Sequence, residues 1–352
     1  MKLLMDYGGL IEAVALCTPH GPRDRTLLRA HAHVLMQLPQ EIAVTLVCLA
    51  ADAGALAHWA AHLRRGVRIV PVAGINGEGM WTQDPVMVAS DRGKRRYLRV
   101  VPEHPNDLAA WLSATDGTPV EQLRLRLAGG NSLVGTDFRI VGIGAVQAEA
   151  GLNTAARIAR AVAAHGALDR RPMHIYGHGD GQLPDHQDPF HLDLALTLTG
   201  CRTRRDEPIV VLARPTRWAA ALEATAERLR ADGFHVLRNR VPVIGSAVAG
   251  YNNVLVENVR RKRARQPLVM LPGFGDRNRS LAAYDDATAE LWSRLGFGVR
   301  RVPGWAPFSF AGGALRCATK VLRRGPFDGD ERIIPDTVLR RIETFLQRPT
   351  EP

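Results

Sequence analysis

The chain has few cysteines, few aromatic side chains and no long apolar run. Its 352 residues include four cysteines and 6% aromatic residues. The cysteines are widely spaced and form no CxxC pair, which argues against a disulfide framework and against a structural zinc ribbon. They lie at Cys17, Cys48, Cys201 and Cys317. This sparse use of cysteine is typical of a reducing cytoplasm, so we expect a cytoplasmic protein.

No stretch reaches the length of about eighteen apolar residues that a transmembrane helix needs, so none is predicted. The apolar run Met1–Met5 is too short for the core of a signal peptide, and Asp6 ends it. No G-x-S-x-G motif is present, which excludes the serine hydrolases that use that turn. The glycines of 74–79 match neither a dinucleotide-binding fingerprint nor a phosphate-binding loop, so no cofactor is predicted.

The chain is rich in positive charge, with a formal net charge of +11 carried mostly by arginine. A basic surface can attract nucleic acid, anionic lipid or an acidic peptide. The densest basic run, Arg260–Arg265, contains no aromatic residues on which bases could stack. We therefore interpret the run as a solvated face and do not expect nucleic acid as a partner.

Apolar periodicity predicts alternating strands and helices along the whole chain, which is typical of an α/β protein. A unit recurs in which a polar or reactive motif is followed by a strand, a helix and a further strand. Stacked repeats of such a unit would bring the motifs to one axis. No Pro/Ser-rich linker divides the chain, so we predict a single domain over 1–352. Examples are the strands Ile11–Cys17 and Val67–Val72 and the helices Asp24–Met36, Ala148–His165 and Thr337–Gln347.

One cysteine is presented in a way that suits a nucleophile. Cys317 follows Gly312-Gly313 and small residues surround it, as in a tight turn. A thiol needs a base and an electropositive setting to react near neutral pH. The alternative is a small buried core cysteine.

Three further motifs carry polar side chains. Asp84 lies three residues after Trp81, an arrangement that suits a cationic substrate or a simple turn before Pro85. His191 and Asp193 would lie on one face if His191-Leu192-Asp193 begins a strand. Asn131 follows Gly129-Gly130, which could be a turn.

A rival constellation lies just upstream of His191. Histidine and carboxylate side chains cluster there and could bind a divalent metal, although their spacing matches no zinc hydrolase signature. They are His178, Asp180, Asp185, His186 and Asp188.

Taken together, these motifs resemble the guanidino-group-modifying (pentein) superfamily, and within it the catalytic domain of peptidylarginine deiminases. The matching segments occur in the family's order from about Ile42 to Phe327. They are Trp81-Thr82-Gln83-Asp84, Gly130-Asn131, His191-Leu192-Asp193, Asn253-Val254-Leu255-Val256 and Gly313-Ala314-Leu315-Arg316-Cys317-Ala318-Thr319. The resemblance implies a five-bladed, pseudo-symmetric α/β propeller. Gln83 favours the peptidyl branch over the agmatine and free-arginine deiminases.

The resemblance also implies a mechanism. Cys317 would attack the guanidinium carbon of an arginine side chain, while Asp84 and Asp193 would hold the guanidinium. His191 would protonate the departing ammonia and then activate water, giving citrulline. Trp81, Gln83, Asn131 and Asn253 would bind the substrate.

Other outcomes remain open. An arginine-containing peptide or protein is the expected substrate, and a small guanidine such as agmatine or arginine is the alternative. An amidinotransferase or a non-catalytic peptide-binding protein would also use this fold. Pro85 and Met87 occupy places where calcium-dependent members of the family have acidic residues, so no metal is expected. The oligomeric state is not predicted.

Overall fold

The computed structural model describes residues 1–63, 66–100, 106–123, 125–150, 154–177, 191–216, 218–244, 247–276, 278–327 and 329–348. The chain divides into two compact units. The first unit comprises Met1–Met5, Ile11–Ile175 and Arg316–Arg324, and the second comprises Asp6–Leu10, Tyr176–Leu315 and Gly325–Pro352. Both units mix helices and sheets, which confirms the predicted α/β class. The prediction of a single domain over the chain stays a prediction.

The first unit contains three sheets of three or four strands. In spatial order they are Lys320–Arg324, Ile11–Thr18, Ala43–Leu49 and Val67–Val72; Lys2–Leu3, Val86–Asp91, Lys94–Arg99 and Val120–Gln122; and Met173–Tyr176, Arg139–Gly142 and Ser132–Val134. The helices of this unit are Arg25–Gln37, Ala53–His62, Leu108–Asp116, Ile143–Ala150 and Ala155–Ala167.

The second unit contains two larger sheets and a short hairpin. In spatial order they are His235–Arg240, Pro208–Arg214, Leu196–Arg202 and Arg332–Ile333; Leu255–Glu257, Leu268–Pro272 and Gly298–Val302; and the hairpin Val243–Ile244 with Ala247–Val248. The helices of this unit are Leu192–Ala195, Ala219–Ala231, Arg279–Arg294 and Asp336–Gln347.

One local pattern recurs in the sheets. An antiparallel pair of strands is followed by a helix and then by a strand that pairs in parallel with the second strand. In the second unit, Leu196–Arg202 pairs antiparallel with Pro208–Arg214, which pairs in parallel with His235–Arg240. The same order holds from Leu255–Glu257 to Gly298–Val302. Short parallel steps through a helix bury both faces of the middle strand, which is why these strands are apolar along their length.

Two features explain where the helices begin. Asp24 precedes Arg25–Gln37, and its side chain accepts a hydrogen bond from the Leu27 N–H at 2.9 Å. The Thr154 hydroxyl accepts one from the Arg157 N–H at 3.4 Å. Both side chains satisfy backbone donors that a helix N-terminus leaves without a partner.

The predicted single helix Ala148–His165 is wrong. The structure has two helices there, Ile143–Ala150 and Ala155–Ala167. Thr154 has an extended backbone, and its side chain caps the second helix rather than continuing the first. Thr154 therefore marks the start of a new helix that apolar periodicity alone did not separate.

Within the described residues, no helix combines the length and apolarity needed to cross a membrane.

Candidate active site

The candidate residues occupy the same place in each of the five larger sheets. Each lies in a turn one to three residues before the first strand of an antiparallel pair. Asp84 precedes Val86–Asp91, Asn131 precedes Ser132–Val134, Asp193 precedes Leu196–Arg202, Asn253 precedes Leu255–Glu257 and Cys317 precedes Lys320–Arg324. The predicted order of motif and strand is therefore confirmed, and each of the five sheets is preceded by at least one candidate residue.

Each of the five turns contains a backbone hydrogen bond from an N–H to the carbonyl three residues earlier in the chain. The bonds run from Asp84 to Trp81 at 3.3 Å, from Asn131 to Ala128 at 2.9 Å, from Leu194 to His191 at 3.1 Å, from Asn253 to Gly250 at 3.0 Å and from Thr319 to Arg316 at 3.1 Å. Such bonds close a tight turn and fix the directions of the side chains within it. The turns thus hold the candidate residues on rigid backbone just ahead of the sheets.

Gln83 connects three of these turns in the first unit. Its backbone N–H donates to the Cys317 carbonyl at 3.0 Å. Its side-chain Nε2 donates to the Gly129 carbonyl at 3.3 Å, and its Oε1 accepts from Lys320 Nζ at 3.4 Å. Both ends of the Gln83 amide are thus bonded within the protein. The expected contact between Gln83 and substrate stays a prediction.

Asp84 lies against the Gly129–Asn131 turn. Its Oδ1 accepts a hydrogen bond from the Gly130 N–H at 3.0 Å, and its carbonyl accepts one from the Gly129 N–H at 3.2 Å. A Cβ at Gly129 would lie 1.9 Å from the Gln83 carbonyl oxygen, a distance that only glycine permits. This close approach explains why position 129 is a glycine. Asp84 is a largely buried carboxylate, and the bond from Gly130 fixes the direction of its Oδ1.

Cys317 is buried in a turn that carries two buried cations. Arg316 and Lys320 are 6% and 5% exposed, and Cys317 is 2% exposed. Arg316 Nη2 donates to the Ser132 carbonyl at 3.2 Å. Two buried cationic residues close to Cys317 in the sequence agree with the electropositive setting that a nucleophilic cysteine needs.

The other three cysteines are buried thiols with raised pKa values, and the sulfur of one of them, Cys201, accepts a hydrogen bond from Arg332 Nη2 at 3.1 Å. Burial raises the pKa of the Cys17, Cys48 and Cys201 thiols above the ordinary value. A buried thiol with a raised pKa stays protonated and unreactive. None of the four cysteines forms a disulfide. Cys17, Cys48 and Cys201 therefore act as packing residues, which makes them internal controls for Cys317.

The prediction that His191 and Asp193 begin a strand is wrong. His191 is the N-cap of a single helical turn, Leu192–Ala195, and the strand begins only at Leu196. Residues two apart on a helical turn do not share a face. The physical reason is the backbone bond from Leu194 to His191, which bends the chain ahead of the strand. Asp193 is fully buried, while His191 is half-buried.

In the second unit, the turn at Asn253 contacts the turn at Asp193. Asn253 Nδ2 donates to the Asp193 carbonyl at 3.4 Å, and a Cβ at Gly250 would lie 2.9 Å from Leu194 Cδ2. Asn252 extends this contact, since its Nδ2 donates to the Ala195 carbonyl at 2.7 Å. The second unit thus brings together the turns that carry Asp193 and Asn253.

Sequence reasoning missed three residues that build these turns. Lys320 looks like an ordinary strand residue. Asn252 was not chosen because the motif was assigned to its neighbour Asn253. Gly250 gave no signal in the sequence beyond its small size. The signal that could have found Lys320 is its place three residues after Cys317, since a cationic residue near a candidate nucleophile would favour the thiolate.

The structure places the predicted site residues in both units. Trp81, Gln83, Asp84, Asn131 and Cys317 lie in the first unit, and His191, Asp193 and Asn253 lie in the second. The rival cluster from His178 to Asp188 lies outside the described residues. Among the residues that are described, no group of three histidine, cysteine or carboxylate side chains is placed to hold a metal ion.

Solved structures match the chain over nearly its full length. An agmatine deiminase of C. jejuni has a TM-score of 0.68 at 14% identity, covering 94% of this chain and 97% of that chain. An agmatine deiminase of Enterococcus faecalis has a TM-score of 0.63 at 13% identity, covering 92% and 96%. An amidinotransferase of Microseira wollei from the saxitoxin pathway has a TM-score of 0.52 at 11% identity, covering 93% and 99%.

No family model matches the chain, and no curated protein matches it. The likeness to solved structures shows that the chain has the fold of these guanidino-modifying enzymes. The predicted closeness to peptidylarginine deiminases in particular stays a prediction.

Proposed function

We propose that the chain is a cysteine-dependent enzyme that hydrolyses a C–N bond of a small guanidine. The observation that carries the proposal is the 3.0 Å hydrogen bond from the Gln83 N–H to the Cys317 carbonyl. This bond joins the turn of a candidate nucleophile directly to the turn of a buried carboxylate. A thiol next to a cation-binding carboxylate is the pairing that attack on a guanidinium requires.

The reaction follows from the chemistry of the candidate residues. Asp84 and Asp193 bind the guanidinium through charge-assisted hydrogen bonds, and Trp81 covers the apolar part of the substrate. The Cys317 thiolate adds to the guanidinium carbon, and His191 gives a proton to the nitrogen that leaves as ammonia. His191 then takes a proton from water, which adds to the thiouronium carbon. The C–S bond breaks, and the products are a ureido compound and the regenerated thiolate.

A small guanidine is favoured over arginine in a peptide. The support is the fold, because two of the structures described above are agmatine deiminases. The peptidyl hypothesis rested on Gln83, whose side-chain amide is bonded to Gly129 and Lys320 in this structure. A residue engaged in this way gives little basis for assigning substrate size.

The architecture that we propose is the five-bladed α/β propeller implied by the sequence resemblance. Its support is local: five sheets, each beginning with an antiparallel pair and each preceded by at least one candidate residue.

The proposed function is tested by comparing substrates of different size. The enzyme is incubated separately with agmatine, free arginine and an arginine-containing peptide, and both ammonia and the ureido product are quantified. We expect ammonia and product in equal amounts with a small guanidine. Turnover of the peptide alone would restore the peptidyl hypothesis, and no product with any of the three would overturn the proposal.

The same incubation separates hydrolysis from group transfer. The fold likeness to an amidinotransferase makes transfer to an amine the second candidate function. Adding an amine acceptor diverts the amidino group to that amine in a transferase, giving a new guanidine by mass spectrometry. In a hydrolase, the ureido product is unchanged by the acceptor.

We also propose that catalysis is independent of calcium. Asp84 is followed by Pro85, and Met87 is a buried apolar residue, so these positions offer calcium no side-chain oxygen. Activity after treatment with EGTA is expected to equal that of untreated enzyme. A requirement for millimolar calcium would contradict this and would direct attention to the cluster from His178 to Asp188.

A further inference from the structure

A groove rich in arginine lies in the second unit, between the helices Arg279–Arg294 and Asp336–Gln347. Its volume is about 430 Å³. Guanidinium groups dominate its walls, together with two hydroxyls and one aromatic ring. The residues are Arg294, Arg340, Arg341, Arg348, Thr337, Thr344 and Phe345. None of these residues belongs to the candidate active site, so the groove is independent of the proposed function.

The sequence of the second helix creates this face. Four of the lining residues follow one another at intervals of four, three and four positions, which places them on one side of a helix. They are Thr337, Arg341, Thr344 and Arg348. Leu339 and Ile342 point the other way and are buried in the core. The helix therefore has one apolar side that packs and one basic side that lines the groove.

The groove has little negative charge to balance its arginines. No acidic side chain is among its lining residues. Within the described part of the chain, Arg340, Arg341 and Arg348 have no ion-pair partner. Glu343, on the same helix, has its Oε1 3.3 Å from His235 Nε2. Unbalanced like charges repel one another, so an anion in the groove would be stabilised.

Arg294 is held in place before any ligand arrives. Its Nε lies 2.7 Å from Glu290 Oε1, and its Cζ lies 4.8 Å from the centre of the Phe345 ring. An ion pair on one side and a cation–π contact on the other restrict the guanidinium. A preorganised donor loses less conformational entropy on binding.

We propose that this groove binds a small molecule carrying two or more phosphate groups. The planar guanidinium pairs with phosphate oxygens through two parallel hydrogen bonds, and four guanidinium groups match several such oxygens. The Thr337 hydroxyl also lines the groove. The volume lies within the range of about 300–1,000 Å³ for small-ligand sites, which favours a compact anion over an extended nucleic acid strand.

The test measures binding of pyrophosphate to the full-length protein by isothermal titration calorimetry. The double variant R341Q/R348Q removes two groove arginines. The matched control, R263Q/R265Q, removes two arginines from the exposed run Arg260–Arg265. We expect the groove variant to weaken pyrophosphate binding at least about tenfold, as the loss of charge-assisted hydrogen bonds implies, while the control changes it less than about twofold.

Two further measurements test whether the groove needs more than one phosphate group and whether it needs the planar guanidinium. Inorganic phosphate is expected to bind more weakly than pyrophosphate, because one group reaches fewer arginines. R341K keeps the charge but not the planar fork, so it is expected to lose part of the affinity. Circular dichroism melting confirms that each variant is folded, which is expected because the four arginines are exposed.

Three results would overturn the proposal. The first is no measurable heat with millimolar pyrophosphate. The second is an equal loss in the groove variant and the control, which would mean that only the net charge attracts the anion. The third is a short single-stranded DNA that binds more tightly than pyrophosphate and competes with it, which would make the groove a nucleic-acid surface.

Discussion

At the scale of single residues, Cys317 differs from the other three cysteines in its surroundings rather than in its burial. All four are buried, and Cys317 lies in a turn with a buried cationic residue just before it in the sequence, Arg316, and another at the start of the following strand, Lys320. We expect C317A to remove turnover while leaving the thermal unfolding temperature nearly unchanged, because the substitution deletes one small buried atom.

The control for C317A is C48A, which removes a thiol of similar burial whose pKa is raised. C48A is expected to keep activity near the wild-type level in the ammonia-release assay. If C317A keeps its activity while C48A or C201A loses it, the nucleophile has been assigned to the wrong residue.

The two candidate carboxylates test a different property of the site, its preference for a planar cation. Asp84→Asn and Asp193→Asn each keep the size of the side chain but remove a charge. Unpairing a buried charge costs roughly 3–5 kcal/mol, so each variant is expected to lose about two to four decades of kcat/KM. Steady-state kinetics with a small guanidine measures the loss.

The outcome for each carboxylate is interpreted separately. A loss of less than about tenfold would make that aspartate a turn residue and end the proposal of a two-carboxylate clamp. Asp84→Asn is informative because its Oδ1 can still accept the hydrogen bond from the Gly130 N–H. The variant therefore separates charge from turn structure.

At the scale of secondary-structure elements, the turn at Gly129 packs closely against the turn of Asp84, and these turns precede two different sheets of the first unit. A Cβ there would lie 1.9 Å from the Gln83 carbonyl oxygen, so Gly129→Ala forces the backbone apart. Overpacking of this kind costs about 1–3 kcal/mol. We expect lower stability in urea unfolding and a loss of activity, because the turns of Asp84 and Asn131 would separate.

Gly166→Ala is the matched control for Gly129→Ala. A Cβ at Gly166 would meet no atom within 4 Å, and the residue lies in the helix Ala155–Ala167. Alanine there is expected to stabilise the protein by roughly 0.5–1 kcal/mol with activity unchanged. Equal behaviour of the two variants would mean that Gly129 is an ordinary turn glycine.

The elements also show what sequence patterns could and could not predict. The strand Val67–Val72 was predicted with its observed bounds, because an apolar run flanked by glycine is unambiguous. The helix Leu108–Asp116 was not predicted, since its alanines and leucines leave no clear polar face. The strand predicted at His191 failed because a one-turn helix is decided by backbone hydrogen bonds, which side-chain periodicity does not report.

The residue types of the candidate site could be proposed from the sequence, but the contacts that hold those residues in place could not. The order of Asp84, Asn131, Asp193, Asn253 and Cys317 could be proposed from motifs along the chain. The bridging role of Gln83 could not, because it depends on contacts with Gly129 and Lys320 that are 46 and 237 residues away. Long-range contacts of this kind leave no trace in local spacing.

At the scale of the whole molecule, buried histidines predict a loss of stability in acid. His31 is fully buried, and burial lowers its pKa from 6.5 to about 3. Between these values the unfolded chain binds a proton that the folded chain does not, so stability is complete above pH 6.5 and falls as the pH falls. By pH 4.5 this histidine alone should cost about 2–3 kcal/mol.

Urea unfolding at pH 7.5 and pH 4.5 measures this loss. His31→Leu removes the titrating group at similar volume and is expected to flatten the pH dependence of the unfolding free energy. His58→Leu changes an exposed histidine and is expected to leave that dependence as in the wild type. An identical pH dependence in wild type and His31→Leu would show that His31 does not couple folding to protons.

The pairing of Lys320–Arg324 with Ile11–Thr18 joins segments from opposite ends of the sequence in one sheet. In the second unit, Arg332–Ile333 likewise pairs with Leu196–Arg202, and the Asn258 N–H donates to the Tyr7 carbonyl at 3.1 Å. Each unit therefore depends on strand pairing between segments that lie far apart in the sequence. Because the turn of Cys317 leads directly into Lys320–Arg324, the placement of the thiol depends on a non-local pairing, which is the kind of contact that forms slowly in folding.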